Sequence, residues 1–230
     1  MSGPLTSPGI TPYDPPRIKQ ALVIGVCVSM VASGARKEQI VATASELFRQ
    51  RGYHATTVRD IARELDLQGG SLYAHIDSKD AVLREIVARA AEAFFAAVEQ
   101  LAGEPWPAAT RLRAMIHAHI GVVTSRLNDA TVFLQDWRYL EEPGRAEILR
   151  LRDAYEALFR QVLAEGIAAG EFTVRDPRLA SIMLLSGLNA LPGWFRPDGA
   201  LSADHIAAEY AEMLLHGLSV RPLADEEDDR

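Results

Sequence analysis

LFRQRGYHATTVRDIARELDLQGGSLYAHIDSKDAVLREIV, residues 47–87, decides the fold of this chain. It reads as one helix ending at a glycine, two short helices joined by a tight turn, and the start of a longer helix. Gly52 follows Arg51 where a helix C-terminus favours a residue tolerant of positive φ. Thr57 and Asp60 fit a capping box, in which the Thr oxygen accepts a backbone N–H and the carboxylate sits in the electropositive first turn. Val58, Ile61, Ala62 and Leu65 recur at helical spacing and face inward. Residues 66–70 hold two glycines and one apolar residue, Leu67, so the chain turns there. Residues 71–76 then form a short helix anchored by Leu72 and Ile76. Asp77 or Ser78 caps the next helix, which carries Val82, Ile86, Ala90 and Phe94 along one side. Two short helices of this size and order form a helix-turn-helix, whose second helix can lie in a DNA major groove. A helical hairpin in an ordinary core has no need of so short and polar a third helix, presented on three sides.

GYHATTVRDIA at 52–62 and LQGGSLYAHIDSKDAVL at 67–83 resemble the N-terminal DNA-binding domain of TetR-type transcriptional regulators. Glycine-aromatic, Thr-Thr, Asp-Ile-Ala and Leu-Tyr-x-His occur in order at matching spacings. The likeness is tight from residue 36 to about residue 90; beyond that it lies in length and an all-helical pattern. It implies that Thr57, with the helix N-terminus behind it, holds a phosphate. Arg59 would reach a phosphate or a guanine edge, and Tyr73, His75 and Lys79 would grip backbone phosphates on either side of the groove. Tyr73 and His75 have the alternative of packing within the domain. Gln68, Gly69, Gly70 and Ser71 fall at the end of the recognition helix that points at base edges. Gly69 and Gly70 bring no side chains to that task, and Ala74 is small where an aromatic is common. Direct readout therefore rests on Arg59, Gln68 and Ser71, with DNA shape and bridging water supplying much of the rest.

Charge agrees only in part. The chain carries a net −7, which argues against a non-specific nucleic-acid coat protein. Residues 34–89 hold nine Lys/Arg against eight Asp/Glu, so positive charge is relatively enriched at the proposed DNA end. A salt-sensitive dimer engaging two half-sites is expected. With 230 residues and 48% hydrophobic content, there is material for one compact chain with two subdomains. The single cysteine, Cys27, allows no intramolecular disulfide and suits a reducing cytoplasm.

The expected organisation is all-α, with about nine helices. Residues 1–35 form an uncertain N-terminal extension, 36–85 the helix-turn-helix domain, 86–220 a ligand-binding and dimerisation domain, and 221–230 an acidic, disordered tail. MSGPLTSPGITPYDPP at 1–16 is proline-rich and expected to be disordered. The apolar run ALVIGVCVSMVA at 21–32 is too short to span a membrane but has the length of a signal-peptide core. Because a cytoplasmic DNA-binding module follows directly, the simpler reading is a true start at Met30. A membrane-touching or disordered arm is the alternative.

Beyond Ala90 the pattern predicts helices at 108–126, 129–140, about 143–169, about 177–194 and from 203 onward, with Asp176-Pro177 as an N-cap and first-turn proline. The last two helices are the expected dimer interface: Leu184, Gly187, Leu188 and Leu191 with Ile206, Tyr210 and Met213 would build an intermolecular four-helix bundle, unless these faces only complete the monomer core. In the family, a small ligand enters the helical C-terminal domain and the fourth helix pivots. Candidate ligand residues are Met115, His119, Phe133, Trp137, Tyr155, Phe159, Leu185 and Asn189; His119 and Asn189 are polar on apolar faces, and either orients a ligand or is satisfied within the core. The segment LNALPGWFRPDGALSADHIAAEYAEMLLHGL, residues 188–218, is similar to the C-terminal ends of TetR-type regulators of sterol and fatty-acyl catabolism. That implies an apolar effector, with acyl-CoA thioesters as a candidate class and repression relieved on binding.

No catalysis, cofactor or metal is expected. His117 and His119 are two apart and diverge on a helix, unlike an i, i+4 metal pair. There is no cysteine cluster, phosphate-cradling glycine loop or nucleophile elbow. The expected function is a ligand-responsive, homodimeric repressor on a palindromic operator; the alternative is a helical adaptor that binds a protein partner instead of DNA, motivated by Gly69 and Gly70.

Overall fold

Eight α-helices and two short 3₁₀ turns account for the regular structure of the computed structural model, which describes residues 31–67 and 72–219, and no strand occurs among them. In chain order the helices are α1 (Val31–Arg51), α2 (Val58–Glu64), α3 (Lys79–Ala102), α4 (Ala108–Ser125), α5 (Leu127–Gln135), α6 (Gly144–Ala168), α7 (Pro177–Asn189) and α8 (Ala203–Ser219). The 3₁₀ turns are Trp137–Tyr139 and Leu191–Gly193. The all-α expectation holds. Residues 1–30, including the proposed start at Met30, and the acidic tail lie outside the described residues, as do 68–71.

Local chemistry sets the head. Gly52, at φ 86°, ends α1, and its N–H donates to the Phe48 carbonyl at 2.8 Å. Thr57 caps α2 with the reciprocal box expected: its Oγ1 accepts from Asp60 N at 3.2 Å while its own N–H donates to the Asp60 carboxylate at 2.9 Å. The helix stops in a Schellman arrangement with Asp66 in the left-handed region at φ 53°, and Leu67 N donates to the Ala62 carbonyl at 2.8 Å. After residues 68–71, one helical turn closes through His75 N and Ile76 N to the Leu72 carbonyl, at 2.9 and 3.2 Å. Ile40, Phe48, Ile61, Leu72 and Ile76 bury the head's small core against Val82, Leu83 and Ile86 of α3.

Three helix boundaries differ from the sequence expectation. Helix α1 begins at Val31, inside the stretch assigned to the N-terminal extension. Helix α3, as its expected stripe of Val82, Ile86, Ala90 and Phe94 implies, runs unbroken across the 85/86 division, so one rod belongs to both subdomains. The helix expected at 129–140 stops at Gln135 and the one expected to reach 194 stops at Asn189; each continues as a 3₁₀ turn, the second containing Pro192, which cannot donate to a helical ladder.

In the body, α3 packs against α4, α5 and α6, with α8 laid on α4 and α7 on α6. Helix α5 also packs against α1, where Ser45 Oγ donates to the Asp129 carboxylate at 2.5 Å. Arg89 of α3 ties back to α1 through both carboxylate oxygens of Glu38, each at 2.7 Å.

Candidate DNA-binding head, ligand cavity and outer face

Among the residues expected to meet DNA, Thr57 and Arg59 are exposed at the start of α2, and Tyr73 is exposed in the turn after residue 71. Arg59 makes no hydrogen bond or ion pair among the described residues, which leaves its guanidinium available. His75 is half-buried, and its Nδ1 has no partner among the described residues. Lys79 behaves differently from a free phosphate grip. Its ammonium donates to the Tyr53 and Thr56 carbonyls, both at 2.7 Å, and lies 4.1 Å from the centre of the Tyr53 ring. Burial lowers its pKa. Lys79 is therefore a strut that fixes the loop preceding the Thr57 cap, with one donor remaining. Gln68, Gly69, Gly70 and Ser71 lie outside the described residues.

The expected ligand residues divide. His119, Phe133, Tyr155, Leu185 and Asn189 line one cavity of about 230 Å³ in the body. Met115 and Phe159 are fully buried in the core and do not line it, and Trp137 stands outside it, half-buried. Phe94, Leu134, Arg152, Asp153, Glu156, Ile182 and Ser186 complete the wall and were not expected. Arg152 was findable: it falls four after Ile148 and three before Tyr155, a charge on the apolar stripe of its helix. Its guanidinium lies 5.2 Å from the Trp137 ring centre and 5.7 Å from that of Phe133. Burial, then repulsion from Arg138, lowers its pKa, and it forms no ion pair among the described residues. Glu156, by contrast, is engaged by the Ser181 hydroxyl and by Arg160. His119 Nδ1 and the Tyr155 hydroxyl are 3.0 Å apart, and His119 Nε2 has no partner among the described residues. Burial pushes His119 down to about 3 and Tyr155 well above its usual range, so both are neutral at pH 7.

Aromatic contacts link the cavity's surroundings to the head. Tyr139, two residues after Trp137, stacks on Tyr53 with ring centres 5.9 Å apart and meets His54 at 4.2 Å. Glu141 N donates to Asp80 at 3.1 Å beside them.

The outer face of α7 and α8 corrects the expected dimer set. Leu184, Leu188, Leu191 and Ile206 are at most 3% exposed and belong to the core of their own subunit, so they have no surface to offer a partner. Met213 is exposed and Gly187 and Tyr210 are half-exposed. The exposed apolar side of α7 is instead Leu179, Ile182 and Met183, 64, 45 and 59% exposed, continuing through Ser186 and Gly187. Trp194 stacks on Tyr210 at 6.4 Å and extends this surface towards Met213. Ile182 and Ser186 stand both on that face and in the cavity wall.

Among the described residues no helix is long and apolar enough to cross a membrane. Residues 40–86 match the family described as bacterial regulatory proteins, tetR family, and residues 105–218 match the tetracyclin repressor-like C-terminal domain. The chain is 27% identical over 186 residues to the HTH-type transcriptional repressor KstR2 of Rhodococcus jostii RHA1, covering 80% of this chain and 91% of that protein. The ketosteroid transcriptional regulator KstR2 of Mycobacterium tuberculosis superposes with a TM-score of 0.76 at 26% identity, over 81% of this chain and 96% of that one. The TetR family transcriptional regulator PfmR of Thermus thermophilus is 34% identical with a TM-score of 0.71, over 77% of this chain and 97% of that one. AibR, solved in complex with isovaleryl coenzyme A and operator DNA, is 26% identical with a TM-score of 0.72, over 78% and 98% of the two chains.

Proposed function

The chain belongs to the TetR family of bacterial regulatory proteins, and on that premise we propose that it is a cytoplasmic repressor that binds a palindromic operator as a homodimer and leaves it when an apolar effector, of the acyl-CoA class, enters the body. The observation that carries this reading is the continuity of α3. It starts at Lys79, whose ammonium braces the loop before the Thr57 cap, and two-thirds of the way along it places Phe94 in the cavity wall. A ligand that displaces Phe94 bears on the same rod that positions the head, so binding energy in the body can bias the head between two placements. Tyr139 on Tyr53 gives the cavity side a second contact with that loop.

On DNA, Thr57 and the remaining Lys79 donor serve phosphates, Arg59 a phosphate or guanine edge, and Tyr73 and His75 the backbone; residues 68–71 supply the base-facing end. The dimer forms through Leu179, Ile182, Met183, Gly187, Tyr210 and Met213, the apolar residues that the fold leaves uncovered on α7 and α8. AibR's complex with isovaleryl coenzyme A and operator DNA supports both the effector class and the target.

Selection of DNA from a random pool, followed by gel shift with a series of acyl-CoA esters, tests the reading. A palindromic site bound with strong salt dependence and released by at least one ester is the expected result. No binding to any duplex over a broad salt range would favour the protein-adaptor alternative.

A further inference from the structure

The His119–Tyr155 pair holds one polar hydrogen more than the chain can use. Neutral imidazole and neutral phenol carry one each. Their 3.0 Å contact consumes one of the two, whichever group donates. If Tyr155 donates to Nδ1, the surplus hydrogen is on Nε2, which is fully buried and makes no hydrogen bond among the described residues. If Nδ1 donates, the surplus is the Tyr155 O–H, and Nε2 is left as an empty acceptor. Both tautomers leave a buried donor on residues of a cavity wall that holds apolar Phe94, Phe133, Leu134 and Leu185 together with polar Ser186 and Asn189 and charged Arg152, Asp153 and Glu156. An unused buried donor is costly, and a ligand oxygen relieves that cost.

The oxygen must be uncharged. A carboxylate drawn against one neutral donor would lose hydration for a single hydrogen bond, in a wall that already carries the Asp153 and Glu156 carboxylates. The negative charge belongs elsewhere on the ligand, nearer Arg152, a cation of the same wall that lies over two aromatic faces without an ion pair among the described residues, with Arg138 repelling it and Asp153 attracting it from farther off. Size agrees. A cavity of about 230 Å³ falls below the usual ligand pocket of roughly 300 Å³ or more, so it admits a short acyl group and leaves a bulky anionic carrier outside.

We infer that the effector's thioester carbonyl oxygen accepts the surplus hydrogen of the His119–Tyr155 pair, with the acyl chain against Phe94, Phe133 and Leu185 and the anionic coenzyme portion meeting Arg152. This rests on the acyl-CoA reading above and adds which groups recognise the thioester.

Calorimetric titration of the full chain tests it without altering the protein. The tightest ester in a series from butyryl- to dodecanoyl-CoA, with isovaleryl-CoA included, is compared with the S-alkyl-CoA thioether of equal length, which lacks only the carbonyl. The thioether should bind at least about tenfold more weakly, the equivalent of one lost hydrogen bond. In the double variant His119→Phe/Tyr155→Phe that preference should shrink to about twofold or less, whereas Arg152→Gln should weaken ester and thioether alike and preserve the preference. Equal affinity of the two probes for the unaltered protein overturns the inference and leaves the effector class standing. Failure of every ester to bind overturns the effector class and the inference with it.

Discussion

Lys79 illustrates how one residue's role changes once its neighbours are known. As a sequence position it matches a phosphate grip; in the fold two of its three donors are bound by the Tyr53 and Thr56 carbonyls. Lys79→Met should therefore destabilise the head by about 1–3 kcal/mol, seen in thermal unfolding without DNA, because two partly buried carbonyls lose their donor. A variant that lost operator affinity at unchanged stability would return Lys79 to a purely DNA-facing role. His119 makes a pH prediction. Its folded pKa, about 3, is depressed below the ordinary value of 6.5, so the unfolded chain takes up a proton that the folded chain refuses. The contribution is complete above pH 6.5 and is lost as pH falls from there towards 3. Relative to a His119→Phe reference, unfolding free energy should drop by about 2 kcal/mol between pH 7 and pH 5. A flat difference would mean that imidazole is protonated or hydrated in the folded protein. The Thr57 cap was legible in the sequence because its partner is three residues away. The partners of Lys79 and His119 were not, since the carbonyls lie 23 and 26 residues distant and Tyr155 lies 36.

At the scale of elements, α7 shows where periodicity runs out. Leu184, Leu188 and Leu191 form one apolar series and Leu179, Ile182 and Met183 another, so this stretch is apolar on two sides. A helical repeat can report that both sides are apolar, but not which one the subunit itself covers. The first series, expected at the dimer interface, is buried at home, which agrees with the alternative that it completes the monomer core, and the second, for which no role was read from sequence, is exposed. This helix's start was more legible than its end, since Asp176 and Pro177 act as cap and first-turn residue as read from sequence. Two elements make predictions. Gly166 of α6 lets the buried Phe172 ring lie directly on the helix backbone; a Cβ there would collide with that ring and come within 2.9 Å of Ala108 Cβ. Gly166→Ala gains roughly 1 kcal/mol of helix propensity but overpacks the site by about 1–3 kcal/mol, so a lower Tm is expected. An unchanged or raised Tm would show that Phe172 can move aside freely. The 3₁₀ turn Trp137–Tyr139 spans from Arg152 to Tyr53. Tyr139→Ala should leave effector affinity within about threefold yet reduce effector-driven operator release, measured as the ratio of DNA affinities with and without ester. Full release by this variant would assign the coupling to α3 alone.

On the scale of the whole molecule, the fold class and the head were readable because a helix-turn-helix is specified by short-range capping and spacing. The cavity was readable only in part, since it is assembled from α3, α4, α5, α6 and α7, and no single helix reveals a wall shared by five. The proposed dimer carries the remaining prediction. Met183→Glu places a carboxylate on an exposed apolar face where the free subunit tolerates it. Sedimentation should show monomer, and operator affinity should fall by at least about a hundredfold while monomer Tm stays nearly unchanged. A dimer of unaltered strength would move the two-fold contact elsewhere.

Ile182 and Ser186 stand both in the cavity wall and on the exposed stripe, so in the proposed dimer occupancy of the pocket and pairing of subunits would meet at the same two positions of α7. By thermodynamic reciprocity, any factor by which effector strengthens or loosens self-association must reappear as the ratio of effector affinities for paired and single chains. On the proposed function, sensitivity to the effector would then depend on how much of the protein the cell contains, and diluting the protein through its association midpoint would shift the effector titration curve.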